Sequence, residues 1–209
     1  MILHEMTLPA FVAELASNSP APGGGSIAAL GGALAAGLVS MVGELTSGRE
    51  KYAAVQADMD MLCAKGKEYA ETLLKLIDED TAAFNDFMAA MKLPKDTDEQ
   101  KAARRAAMQE AAKGTVEVPL RTLNLCAEAA KLALVAVREG NVNAASDAGT
   151  AGQFARAAGI CAAYNVRINL PGIKDEAYAA EKRAVMNASL SAIDAAMAEL
   201  TELMEKRLG

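Results

Sequence analysis

Asp80 stands where an apolar residue is expected. Leu73, Ile77, Phe84, Phe87 and Met91 fall at spacings of four, seven, three and four, and position 80 is the member missing from the gap of seven. A helix with this pattern turns one stripe toward the core, which puts the Asp80 carboxyl in the seam. Burial of a carboxylate is costly unless it is hydrogen-bonded or neutralised, and it raises the pKa. A carboxyl with a raised pKa can shuttle a proton near neutral pH. A structural aspartate bonded to polar groups of another helix fits the same pattern. Two neighbours differ from it: Glu79 lies on the opposite face, four residues after Lys75 and placed to pair with it, and Asp78 shares a polar side with Glu71 and Asn85.

The stretch PAPGGGS supplies a second chemical feature. Gly23, Gly24 and Gly25 precede Ser26 and a run of small apolar residues. No Lys-Ser/Thr follows the glycines, and no strand–glycine–helix unit is present, so neither nucleotide-binding fingerprint is met. What remains is an open backbone at a helix start, whose free N–H groups attract a carboxylate or carbonyl. Ser26 is the expected cap of that helix. A tight turn with a serine cap, and no ligand, explains the stretch equally well.

Further candidates are less specific. Asp147 opens a series with Phe154, Cys161 and Ile168 at spacings of seven, and it sits in a first helical turn. Asn141 and Asn143 are suited either to orienting a heterocycle or to capping. Lys92 and Lys95 bracket a turn after the Asp80 helix and suit a carboxylate tail or an exposed turn alike. Tyr164, Asn165, Arg167 and Asn169 gather at a helix end without a distinguishing pattern.

The elements that must position these groups are helices. Apolar residues make up 52% of the 209, dominated by alanine, and aromatics only 4%, which favours helix over sheet. Thr7 caps a short helix ending near residue 17, with Pro9 in its first turn. Helices follow over about 27–47, 52–91, 98–139, 143–169 and 175–207. Gly66 is a candidate interruption of the second of these. Thr97 and Gln100 form a capping box, while Gly114 and Pro119 predict a break or kink further on. Short loops between long helices predict an all-α, antiparallel multi-helix bundle, with residues 1–209 as a single domain.

Composition removes several function classes. The formal net charge is −6 with no basic stripe, which argues against nucleic acid as a partner. The apolar run 27–43 is at the short limit for a membrane span and is mostly Ala and Gly, so a central buried helix is expected instead. Three separated cysteines, Cys63, Cys126 and Cys161, predict reduced thiols in a cytoplasmic setting. The one histidine, His4, lies near a terminus expected to be mobile, so histidine triads and most zinc sites are disfavoured. No charged segment precedes an apolar stretch at the start, so no signal peptide is expected.

Taken in order, PAPGGGS, DTAAF (80–84), MKLPKDT, VPL, GNVNAASDAGTA and YNVRINL span nearly the whole chain. Together they resemble the cyclodeaminase/cyclohydrolase family of folate one-carbon metabolism. That family includes the cyclodeaminase domain of formiminotransferase-cyclodeaminase and free-standing bacterial methenyltetrahydrofolate cyclohydrolases. The resemblance implies an all-helical homodimer acting on a tetrahydrofolate, expected in its polyglutamylated form, with no metal and no cofactor beyond the folate. It implies Asp80 as the acid/base, with Gly23, Gly24, Gly25, Ser26, Lys92, Lys95, Asn141, Asn143 and Asp147 lining the folate groove. Formiminotetrahydrofolate cyclodeaminase is the first expectation and methenyltetrahydrofolate cyclohydrolase the alternative. A non-catalytic helical scaffold is the remaining reading; it would tolerate Asp80→Leu and gain stability, because the apolar seam would be completed.

Overall fold

A computed structural model describes residues 2–209, and among them all regular structure is helical. The main helices are α1 (Leu8–Leu15), α2 (Gly24–Thr46), α3 (Gln56–Met91), α4 (Asp98–Glu139), α5 (Ala145–Asn169) and α6 (Glu176–Leu208). Short 3₁₀ turns lie at Leu3–Glu5, Glu50–Val55, Val142–Ala144 and Leu170–Gly172. Thr7 caps α1, the Thr97–Gln100 capping box starts α4, and Asp175 caps α6.

Helix α2 is the centre of the bundle, packed on α3, α4 and α5, with α6 covering α4 and α5. It is long and apolar enough to cross a membrane, but its alanines are core residues: Ala28, Ala29, Ala35 and Ala36 are all buried. Small residues set how closely the helices approach. A Cβ on Gly66 would lie 2.7 Å from the Ser40 backbone nitrogen, so α3 crosses α2 at a distance only glycine permits. Gly66 therefore does not interrupt α3; it is the crossing point.

Helix α4 also runs unbroken through Gly114 and Pro119, against expectation. Pro119 has no N–H to give the Thr115 carbonyl. That carbonyl instead accepts from Asn169 Nδ2 at 2.8 Å. Tertiary packing of the buried Pro119 ring and this borrowed donor hold the helix together.

Three other expectations change. The amino-terminal segment is docked rather than loose: Leu3 is buried, its N–H donates to Asp78 Oδ1 at 2.6 Å, and the His4 ring meets Asp78 Oδ2. Asp78 is therefore an anchor for that segment, and these bonds hold its carboxyl below the usual range despite partial burial. Glu79 pairs with Arg121 on α4, not with Lys75.

The series Phe154, Cys161, Ile168 faces solvent, whereas Ala148, Ala151, Ala155, Ala158 and Ala162 face the core. Spacing shows which residues share a face. It does not show which face is turned inward when the alternative face is alanine and suits close helix packing better.

Candidate active site

Helix α2 begins at Gly24 with Gly23 as its N-cap, three residues earlier than a serine cap would place it. Gly23 has no side chain to satisfy the first-turn N–H groups. Ser26 is consequently inside the first turn, fully buried, with its hydroxyl turned to α3. The carboxylate that meets this helix end comes from α3: Asp80 Oδ2 lies 3.0 Å from Ser26 Oγ. Asp80 thus acts as a cap supplied from another helix, where the helix dipole favours negative charge.

Ser26 Oγ has three oxygen neighbours: Asp80 Oδ2 at 3.0 Å, the Ile77 carbonyl at 3.2 Å and Thr81 Oγ1 at 3.5 Å. A hydroxyl has one proton to give. When Asp80 is ionised, Ser26 donates to it. When Asp80 carries a proton, it can donate to Ser26 Oγ while Ser26 turns to the Ile77 carbonyl. The hydroxyl therefore serves both protonation states without leaving a group unpaired.

Burial pushes the Asp80 carboxyl above its ordinary range, opposed in part by the Ser26 hydroxyl and backbone N–H. Because that hydroxyl favours the ionised form, Ser26→Ala is expected to raise the Asp80 pKa further. The acid limb of the pH–rate profile should move to higher pH, with kcat down roughly tenfold for one lost charge-assisted hydrogen bond. An acid limb that stays in place would show that Ser26 does not govern Asp80.

Asp80 opens into a cleft of about 200 Å³ lined by Gly23, Gly24, Gly25, Thr81, Phe84 and Thr115, with Asn165, Ile168 and Asn169 of α5 opposite. The three glycines are not equivalent. A Cβ on Gly25 would sit 2.1 Å from Asp80 Oδ1, one on Gly24 would touch Asn165 Nδ2 at 3.4 Å, and one on Gly23 would meet only the Pro20 carbonyl at 3.8 Å. Gly25 is what lets the carboxyl lie against the helix end.

Asp80, Gly23, Gly24, Gly25 and Ser26 are thus brought together, while the other sequence candidates lie elsewhere in the chain's own bundle. Asn141 ties the α4–α5 turn to the far end of α2: its amide donates to the Leu45 carbonyl at 3.1 Å, its backbone N–H to Thr46 Oγ1 at 2.9 Å, and its side chain accepts from Asn143 N–H. At 1.5 Å per residue, Leu45 is about 30 Å along α2 from Gly24. Asp147, in the first turn of α5, is roughly 27 Å along that helix from Asn165. Lys92 and Lys95 are exposed in the turn after α3, and Lys92 is about 18 Å along the helix direction from Asp80.

Sequence reasoning gave no role to Thr81 or Thr115 and left Asn165 and Asn169 undecided. A signal existed for Thr115, since Pro119 four residues later frees its carbonyl. Cys126 is no rival nucleophile: burial pushes its thiol up to about 12, and it is enclosed in the core.

A family model described as formiminotransferase-cyclodeaminase matches residues 7–188. The chain belongs to the formiminotransferase-cyclodeaminase family. It is 45% identical, over 84% of its length and 85% of the relative's, to methenyltetrahydrofolate cyclohydrolase of Methylorubrum extorquens. It is 35% identical over 206 residues to formimidoyltransferase-cyclodeaminase of Sus scrofa, of which it spans 38%. The crystal structure of formiminotetrahydrofolate cyclodeaminase from Thermotoga maritima superposes with a TM-score of 0.89 at 25% identity, covering 99% of this chain and 100% of that one. The family's helical fold and the bundle described above are the same architecture.

Proposed function

We propose that this member of the family is a tetrahydrofolate one-carbon enzyme that adds water to the methenyl carbon of 5,10-methenyltetrahydrofolate, giving 10-formyltetrahydrofolate. The observation that carries the chemistry is the half-buried Asp80 carboxyl with a raised pKa, held by Ser26 at the mouth of a cleft. The 45% identity to a cyclohydrolase of nearly the same length puts hydrolysis first, ahead of the cyclodeamination that the motifs favoured. Cyclodeamination is the second reading, supported by the likeness to the Thermotoga maritima cyclodeaminase. Both reactions work on the carbon between N5 and N10.

In hydrolysis the Asp80 carboxylate takes a proton from water as the water oxygen bonds to the methenyl carbon. The carbon–N5 bond then breaks, N5 takes the proton from the Asp80 carboxyl, and the hydroxyl proton leaves as the formyl C=O forms. One proton is released overall. In cyclodeamination the same carboxyl takes the N10 proton as N10 attacks the formimino carbon, and then protonates the departing nitrogen as ammonia. General acid–base assistance of this kind contributes about 10²–10⁴-fold. The cleft adds orientation, since a folate held by its ring presents the reacting carbon at a fixed place.

Purified protein is to be followed at the near-ultraviolet band of the methenyl chromophore. Loss of that band above the buffer rate supports hydrolysis. Appearance of the band from 5-formiminotetrahydrofolate, with matched ammonia, supports cyclodeamination. Absence of both contradicts the folate reading.

A homodimer belongs to the same proposal. Leu34, Met41 and Leu45 on α2, with Phe154, Tyr164 and Ile168 on α5, form apolar stripes on neighbouring helices, and Ile168 is 77% exposed. A two-fold axis crossing α5 pairs its first turn with the last turns of the second copy. That arrangement brings Asn143 and Asp147 of one copy toward the Asp80 cleft of the other, which one chain alone does not do. Phe154→Glu is expected to give a monomer in light scattering, with helical content retained and activity lost. An active monomer would contradict the shared site. Lys92 and Lys95 remain candidates for a polyglutamate tail leaving the cleft.

A further inference from the structure

Asn165 and Asn169 lie one turn apart on α5, and both line the cleft opposite Asp80. Each gives one N–H of its amide to a main-chain carbonyl. Asn165 Nδ2 donates to the Cys161 carbonyl at 2.9 Å, and Asn169 Nδ2 donates to the Thr115 carbonyl at 2.8 Å. A carbonyl can only accept, so these bonds fix how each amide is turned: Nδ2 faces the main chain with one of its two N–H groups used, and Oδ1 is left without a partner. No hydrogen bond to either Oδ1 is made among the described residues. The Thr115 carbonyl is available because Pro119 cannot donate to it and its ring keeps that turn open.

We infer that Asn165 and Asn169 form an acceptor wall that reads the N–H donors on the pyrimidine edge of the reduced pteridine, and that Pro119 is a positioning residue for Asn169. The inference rests on the folate reading above. The opposite wall, at the first turn of α2, offers backbone donors and the Asp80 carboxyl. A ring with donors along one edge is held one way round between these walls, which turns its bridging carbon toward Asp80. Ligands without those donors leave two amide oxygens unpaired, a strong basis for rejection.

The test is steady-state kinetics on 5,10-methenyltetrahydrofolate with the full-length protein. Asn165→Ala and Asn169→Ala are each expected to raise KM roughly tenfold, the loss of about one hydrogen bond to substrate, with kcat within about twofold. Pro119→Ala restores an N–H that draws the Thr115 carbonyl back into the helix and away from Asn169. It should raise KM about fivefold by the same tenfold-per-bond scale while leaving Tm equal or higher, because a mid-helix proline has gone. In the double variant Pro119→Ala/Asn169→Ala, KM should match that of Asn169→Ala alone. A merely structural role for Pro119 would multiply the two effects, and that result would overturn the inference, as would an unchanged KM in either asparagine variant. A wild type inactive on both folates overturns the folate reading and this inference together. An active wild type with multiplicative variants overturns this inference alone.

Discussion

Asp80→Asn is expected to lower turnover by about 10²–10⁴-fold and, at the same time, to raise the melting temperature at neutral pH. Asparagine keeps an acceptor for the Ser26 hydroxyl but can neither take nor return a proton. The stability gain follows from burial, which holds the folded-state pKa of Asp80 above its unfolded value. The folded chain binds that proton more tightly than the unfolded chain does. Stability from the group is therefore complete below the unfolded pKa of about 3.9 and is lost as pH rises through the folded pKa. The neutral replacement removes the loss, at about 2–4 °C per kcal/mol for a chain of this size. Calorimetry near pH 7 should show the gain, and a scan at pH 4 or below should show it gone. A stability gain of the same size at both pH values would contradict a raised pKa as its cause. Loss of activity alongside a gain in stability is the expected trade at a functional site.

Gly25→Ala is the second large effect. By helix propensity alone the change should stabilise the first turn of α2. The new Cβ would nevertheless fall 2.1 Å from Asp80 Oδ1 and 2.6 Å from its Cγ. The carboxyl must move by about an ångström, a displacement that costs on the order of 100-fold in rate. Gly24→Ala, which grazes the flexible end of Asn165, and Gly23→Ala, which meets one carbonyl at contact distance, should cost progressively less. Turnover measured across the three variants gives the ranking. Equal losses at all three would mean that the loop acts through backbone freedom rather than through the seat it makes for Asp80.

Asp80 is readable from one sequence because it interrupts a periodic seam, and a buried charge among Leu73, Ile77 and Phe84 is conspicuous without any partner being known. The glycine loop is readable as a helix start but not as a seat. Which glycine matters depends on a side chain 55 residues away, from Gly25 to Asp80. Ser26 is the instructive miss. A serine after glycines signals a cap, but a carboxylate delivered by α3 does that work and frees the hydroxyl for Asp80.

Pro119 shows the opposite failure. Local chemistry predicts a broken helix, and a donor from α5 repairs it. The spacing of Phe154, Cys161 and Ile168 shows a shared face but not the direction it points. In a bundle built on alanine contacts the bulky side faces out, which is legible only once the partners of each face are known. Asn141, Asn143 and Asp147 come close together in sequence, yet they lie at the far end of the bundle from Asp80.

The most direct test of Asp80 as the proton carrier is the pH dependence of methenyl chromophore loss, wild type beside Asp80→Asn, each corrected for the buffer rate. The wild-type rate is expected to fall on the acid side through a pKa above that of an ordinary aspartate, about 3.9, with no enzyme-dependent rate in the variant. A variant that turns over as fast as the wild type, or a wild-type rate that stays level down to about pH 4, would contradict the claim that the Asp80 carboxyl carries the proton.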